Sequence, residues 1–305
     1  MSAAPPSPPA PGTPAHKAQH MRLVGIGLMC LACVVFALLD VTAKYLGRQV
    51  DMLEVIWARY ASAFVFALFV YNPINRPGIL RSERPWLQIV RSGLLLGSTL
   101  FNFVSFKYLQ LDQAMAILFS TPLIVAALAG PMLGEWIGAK RWAAISVGLL
   151  GVMLVAQPGF GSIHPAAMLT VIAAFFLSFY NITTRILARH DPSETTLFYS
   201  NLIGALAMLP VMPFVWTTPS NPLHIFLITT FGALASLGHF LLIVAYRHTP
   251  ASVLSPFMYS QLLWAVMLGY LVFGDVPNRW TIIGAAIVIA SGLYLVHRER
   301  LRAHR

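Results

Sequence analysis

Long apolar runs separated by short polar breaks recur along the chain, and their period decides the type of element they form. The run from Gly25 to Leu39 shows no alternation of wet and dry positions, as a half-buried strand or an outer-membrane barrel strand would. Its continuity instead predicts a helix bathed in lipid. A helix needs about 20 apolar residues to cross ~30 Å of hydrocarbon, and most of the runs approach that length. On this pattern helices are expected at about 22–46, 53–72, 86–107, 113–134, 139–157, 166–187, 195–216, 223–246, 251–273 and 280–297. The expected fold is therefore an all-α integral membrane bundle of ten transmembrane helices.

The few polar residues inside these runs fall at matching places in the two halves. Asp40, Lys44 and Arg48 align with Asn181, Arg185 and Arg189 at equal spacing, and farther on the spacing from Glu54 to Arg59 equals that from Glu194 to Tyr199. Farther along, Glu135 answers Asp275, and the pair Arg141-Trp142 answers Arg279-Trp280. Each half holds five expected spans, an odd number, so the second copy must sit inverted in the bilayer. Inverted repeats of this kind characterise transporters that expose one central site to alternate sides.

Composition agrees with lipid as the solvent. Hydrophobic residues make up 58% of the 305 positions, charged residues only 10%, and the mean hydropathy is +0.73. Soluble domains carry roughly a quarter charged residues. The formal charge of +10 would suggest nucleic acid in a soluble protein, but here it follows from topology. With the N-terminus in the cytoplasm, fifteen of the twenty basic residues lie on that side and four outside, with Arg59 inside a span. The positive-inside rule then places both termini in the cytoplasm, with attraction to anionic lipid as a by-product. No nucleic-acid partner is expected. Residues 1–20 form a Pro/Ala-rich tail expected to be disordered, and 299–305 a short basic tail. No cleavable signal is evident. Cys30 and Cys33 form a C-x-x-C pair at lipid depth, where cysteine acts as a small apolar filler; no metal site is expected.

The segments TAKYLGRQVDMLEVIWARY, LGEWIGAKRW and FGDVPNRWTIIGAAIVIASGLYLVHRE make the chain similar to the drug/metabolite transporter superfamily, specifically its EamA-type ten-helix members. The resemblance implies two inverted five-helix EamA-like repeats, assigned to 21–160 and 161–298. It implies a metabolite carrier of a bacterial inner membrane, with a cavity walled mostly by the first, third, fourth, sixth, eighth and ninth helices. Similar proteins move amino acids, riboflavin, S-adenosylmethionine, metallophores and other small metabolites, some inward and some outward.

Cost singles out the candidate site residues. A charge within a span costs about 2.5–3.5 kcal/mol on insertion scales, so it faces a partner or a cavity. Asp40 and Arg59 lie at similar depth in adjacent helices, which makes them a candidate ion pair, with Lys44 one turn above Asp40 as a competitor. The pair serves either to fix helix packing or to gate and hold a substrate carboxylate. Arg185 and Glu194 are the corresponding charges of the inverted copy, so a gate at each end is conceivable. The neutral polar set Asn102, Tyr180, His239, Tyr259, Gln261 and Trp264 is the expected substrate site, suited to a planar or zwitterionic organic solute. The competing role for each is an interhelical hydrogen bond. His239 is the one histidine deep in a span and, with Asp40, a candidate carrier of coupling protons. Glu135 and Asp275 are expected to be interfacial helix-end residues without a chemical role. Gly93-x-x-x-Gly97 and Gly130-x-x-x-Gly134 read as close-packing motifs.

Other function classes fit less well. No G-x-x-x-x-G-K-[ST] supports a pump, and no H-E-x-x-H or G-x-S-x-G supports an embedded enzyme. No catalytic residue and no cofactor is expected. The reading is a secondary transporter of a small organic solute, riboflavin-like or amino-acid-like, with a passive facilitator or channel as the alternative and a homodimer as a candidate assembly.

Overall fold

A computed structural model describes residues 14–71, 77–133, 138–156, 165–187, 190–219, 221–249, 254 and 257–303. The described residues are helices and connecting turns, with no strand among them. The helices are α1 (Pro14–Leu46), α2 (Met52–Tyr71), α3 (Pro85–Ser105), α4 (Leu111–Leu118), α5 (Thr121–Leu133) and α6 (Ala139–Ala156). The second half holds α7 (Ala167–Leu187), α8 (Ser193–Met208), α9 (Met212–Val215), α10 (Pro222–His248), α11 (Ser260–Phe273) and α12 (Arg279–Ala303). Among the described residues, six stretches are long and apolar enough to cross a membrane: 23–46, 52–70, 85–105, 167–184, 193–215 and 222–242. Four shorter apolar helices, 111–125, 142–155, 260–273 and 279–294, complete the set. The protein is thus a multi-pass, all-helical membrane protein. Phe69, Phe214, Leu263 and Leu271 are 67–87% exposed, which only a lipid environment makes inexpensive.

Three expected helices differ in outline. The fourth is broken into α4 and α5 by a turn at Phe119-Ser120. Pro122, the second residue of α5, lacks an N–H and cannot bond to the Leu118 carbonyl. The Thr121 hydroxyl donates to that carbonyl instead, at 2.6 Å, so the break leaves it satisfied. The ninth helix becomes continuous only at Ser260; Pro256, offered as its breaker, lies outside the described residues, as do Glu135 and Gly134. The seventh loosens after Met208 into a 3-10 turn and the short α9, where Pro210 and Pro213 interrupt the backbone ladder.

Neighbour relations repeat between the halves. If α1, α2, α3, α4–α5 and α6 are exchanged with α7, α8, α10, α11 and α12, the packing of α1 on α10 becomes that of α7 on α3. Likewise α1 on α11 becomes α7 on α4–α5, and α2 on α10 becomes α8 on α3, while α6 on α12 and α2 on α8 map onto themselves. Small residues permit the closest crossings. A Cβ on Gly284 would lie 2.5 Å from the Gly151 carbonyl oxygen, and one on Gly151 would lie 2.8 Å from the Gly284 oxygen, so α6 and α12 touch backbone to backbone. Of the expected motif Gly93-x-x-x-Gly97, Gly93 faces open space and only Gly97 meets a neighbour, the Phe176 ring.

At one end of the bundle, Asp191 between α7 and α8 ties two connections together. Its carboxylate accepts hydrogen bonds from the Ser82 hydroxyl, the Glu83 amide (2.9 Å) and the Gln88 side chain (2.7 Å). Burial pushes the Asp191 carboxyl up, but these donors, with His190 nearby, outweigh burial and hold it below its usual value. The stabilisation is therefore fully present above the ordinary aspartate value of about 3.9 and is lost as pH falls through the depressed one. Asp191→Ala is expected to lose about 1–3 kcal/mol at neutral pH by leaving the three donors unmatched. Unfolding temperature in detergent against pH checks this: the gap between parent and variant should be constant from pH 8 to 5 and close only in strong acid, below about pH 4.

Candidate functional site

Helices α2, α3, α7, α8 and α10 line a cavity of about 290 Å³, open on one side past the exposed Phe66, Val70, Leu237 and Phe240 and near the lower edge of the ~300–1,000 Å³ typical of small-molecule sites. Its polar wall consists of Arg59, Tyr60, Tyr180, Ser200, Asn201, Ser236 and His239; alanine, leucine and phenylalanine supply most of the rest. Both halves of the chain contribute. The wall differs from the resemblance-based expectation in using α2 and α8 and in drawing nothing from the first, fourth or ninth expected helices.

Arg59 is buried on α2. Its Nη1 donates to the Thr99 hydroxyl at 2.5 Å and to the Tyr60 hydroxyl at 3.3 Å, while Nε and Nη2 have no partner among the described residues. Behind the wall lies a second guanidinium, Arg91 of α3, only 2% exposed. Arg91 donates to the hydroxyls of Thr184, Ser200 and Tyr180, each at 2.7 Å, and to the Thr196 carbonyl at 3.4 Å. All four acceptors are neutral. Because Arg91 donates to the Tyr180 oxygen, the Tyr180 hydroxyl keeps its own proton for another acceptor. From the sequence Arg91 falls among the fifteen basic residues on the cytoplasmic side. A signal was present: Gln88, Arg91, Ser92, Ser98, Thr99 and Asn102 form a polar stripe at helical spacing, and all are buried.

The expected substrate residues divide. Tyr180 and His239 line the cavity, with the His239 ring edge-on to Phe36 at 5.1 Å. The other four lie elsewhere. Asn102 is buried in α3 with an unpartnered Oδ1. Tyr259 packs against the Phe119 ring at 5.4 Å, and its buried hydroxyl, like the Asn102 Oδ1, has no partner among the described residues. Gln261 donates to Asp40 at 3.0 Å, and Trp264 packs beside Met29, Cys33, Ala245 and Leu254.

The expected contact between Asp40 and Arg59 is not made. Helix α1 packs principally on α10 and α11 and only lightly on α2, so Asp40 faces Gln261 instead. Arg59 acts on the Asp40 carboxylate through space, without an ion pair. Lys44 likewise leaves Asp40 and bridges to Asp275 at 2.6 Å, with a second bond to the Leu109 carbonyl at 3.1 Å. Asp275, expected to have no role, is brought into reach by Gly274, whose φ of 71° ends α11 in the left-handed conformation. Lys44 and Arg48 both stack on Phe273, at 4.8 and 4.5 Å. This cluster closes one end of the α1–α11 seam. Of the inverted copy, Arg185 lies in α7 with its side chain outside the described residues, and Glu194 opens α8. Among the described residues no group of acidic, histidine and cysteine side chains could hold a metal ion.

Comparison with known proteins accords with this architecture. The S-adenosylmethionine uptake transporter of Rickettsia conorii is 30% identical over 289 residues, covering 93% of this chain and 96% of that one. The riboflavin transporter of Vibrio cholerae is 28% identical over 291 residues, covering 94% and 97%. A solved crystal structure aligns with a TM-score of 0.63 over 93% of this chain and 99% of that one, at 16% identity, which shows a shared fold. The sequence profile of the EamA-like transporter family matches twice, at residues 23–157 and 164–297, nearly the whole length outside the N-terminal tail, and the chain belongs to that family.

Proposed function

We propose that this protein is a secondary carrier that moves a small organic metabolite across a bacterial inner membrane by alternating access. Ten spans form two inverted halves, with both termini in the cytoplasm. The observation that carries the reading is the cavity built by helices of both halves, α2, α3, α7, α8 and α10, while Lys44 and Asp275 bridge α1 to the end of α11. In the alternate conformation that bridge opens and the seam of the other half closes. Relatives named for uptake of S-adenosylmethionine and transport of riboflavin support an organic, partly planar solute. Tyr180 and His239 remain from the expected site, joined by Arg59, Ser200 and Asn201.

Two measurements test this. Reporter fusions after residue 80 and at the C-terminus are expected to report cytoplasm, and one near residue 219 the outer side; a cytoplasmic signal at 219 contradicts the inverted ten-span arrangement. Proteoliposomes preloaded with unlabelled solute are expected to accumulate labelled solute transiently, saturating as its external concentration rises. Linear, non-saturating entry with no counterflow would mark a channel.

A further inference from the structure

We infer that the solute is recognised through a carboxylate, held by the free edge of Arg59 together with the hydroxyl of Tyr180. The inference deepens the carrier reading and rests on the same cavity.

Buried guanidinium groups retain their charge and are costly to leave without an anion. Here two of them stand at one cavity. Arg91 spends its donors on neutral oxygens, and Arg59 bonds only through Nη1, leaving the buried Nε and its neighbour Nη2 without an acceptor among the described residues. No carboxylate among the described residues lies within ion-pair distance of either. Asp40 feels Arg59 through space without pairing with it, and it accepts a hydrogen bond from Gln261. With Asp40 counted as a full negative charge, the centre still holds one positive charge in excess. A single carboxylate neutralises that excess, whereas a phosphate dianion overshoots it in a low-dielectric site. The donor geometry agrees. Two adjacent N–H groups of a guanidinium match the two oxygens of a carboxylate, and Tyr180, whose oxygen already accepts from Arg91, has its own proton free to donate toward the cavity. The apolar remainder of the wall leaves room for the uncharged part of the solute.

The test uses the purified full chain in detergent and reads the unfolding temperature against ligand concentration. Probes are monocarboxylates with an uncharged tail, such as 3-phenylpropionate, together with the common amino acids and S-adenosylmethionine, each paired with an analogue lacking the carboxylate: the corresponding amides and decarboxylated S-adenosylmethionine. Riboflavin and its 5′-phosphate form a phosphate arm. At least one carboxylate solute is expected to stabilise the protein, with its analogue binding about tenfold or more weakly. Arg59→Gln is expected to abolish that discrimination and Arg59→Lys to retain part of it. The proposal is overturned if no carboxylate solute binds, if the paired analogues bind equally, or if the riboflavin phosphate binds more tightly than every carboxylate solute. Should Arg59→Gln fail to fold, the ligand pairs on the unaltered protein decide alone. Counterflow in proteoliposomes separates the two readings. Carboxylate-selective binding without counterflow sinks the carrier and keeps the site; counterflow without carboxylate preference does the reverse.

Discussion

Lys44→Met is expected to destabilise the folded protein by about 3–5 kcal/mol, the usual cost of removing one partner from a buried ion pair. Lys44 is 3% exposed, and its ammonium bridges to Asp275 while also bonding to the Leu109 carbonyl. Asp112, buried at the start of α4 with both carboxylate oxygens unpartnered, feels the same cation. Methionine fills the space but carries no charge, so two carboxylates are left facing each other at the end of the seam. The double change Lys44→Met with Asp275→Leu removes one of them and is expected to recover more than half of the loss. Unfolding temperatures of the parent, both single variants and the double variant in the same detergent give the cycle. A double variant no more stable than Lys44→Met would show that the bridge is not the source of the effect.

Gly232→Val is expected to prevent close packing of α2 against α10 and to reduce the amount of folded protein in the membrane. A Cβ at this position would fall on the Ala63 amide nitrogen and the Ser62 backbone, which cannot swing aside as a side chain can. The substitution also displaces the Ser62 hydroxyl that the Gly232 amide reaches at 2.8 Å. Overpacking commonly costs about 1–3 kcal/mol, and a backbone obstacle places this site at or above the top of that range. Two other glycines calibrate the result. Gly238 would meet the Phe36 ring, which can turn, so Gly238→Ala should cost less. Gly27 has nothing within 4 Å, so Gly27→Ala should leave the unfolding temperature unchanged or slightly raised. Since α2 and α10 both wall the cavity, any folded Gly232→Val protein should also bind solute poorly. Equal unfolding temperatures for Gly232→Val and Gly27→Ala would mean that the two helices do not meet as described.

Several features were legible in the sequence because lipid solvation acts on each segment separately. A run of apolar residues must be helical in a bilayer whatever its neighbours, so α2, α3, α7 and α10 fall close to their expected spans, and α1 ends where expected although it begins at Pro14, within the expected tail. The two copies of the EamA-like unit were visible because rare charges recur at equal spacing, as Lys44 and Arg185 do. Membership of the family followed from the same segments.

Partnerships were a matter for the tertiary structure. Lys44 and Asp275 lie 231 residues apart, and Asp40 meets Gln261 across 221. Depth along a helix, which the sequence conveys, cannot say which way a side chain points or which helix it meets. That choice rests on the rotation and spacing of whole helices, set by small contacts such as Gly232 on Ala63 and Gly151 on Gly284. For the same reason Arg91 looked like an interfacial charge although packing of α3 against α7 and α8 encloses it, and four of the six expected site residues sit away from the cavity. Hydropathy is a local property and determined the spans; which polar groups share a cavity depends on how the helices pack, and only the assembled bundle decided it.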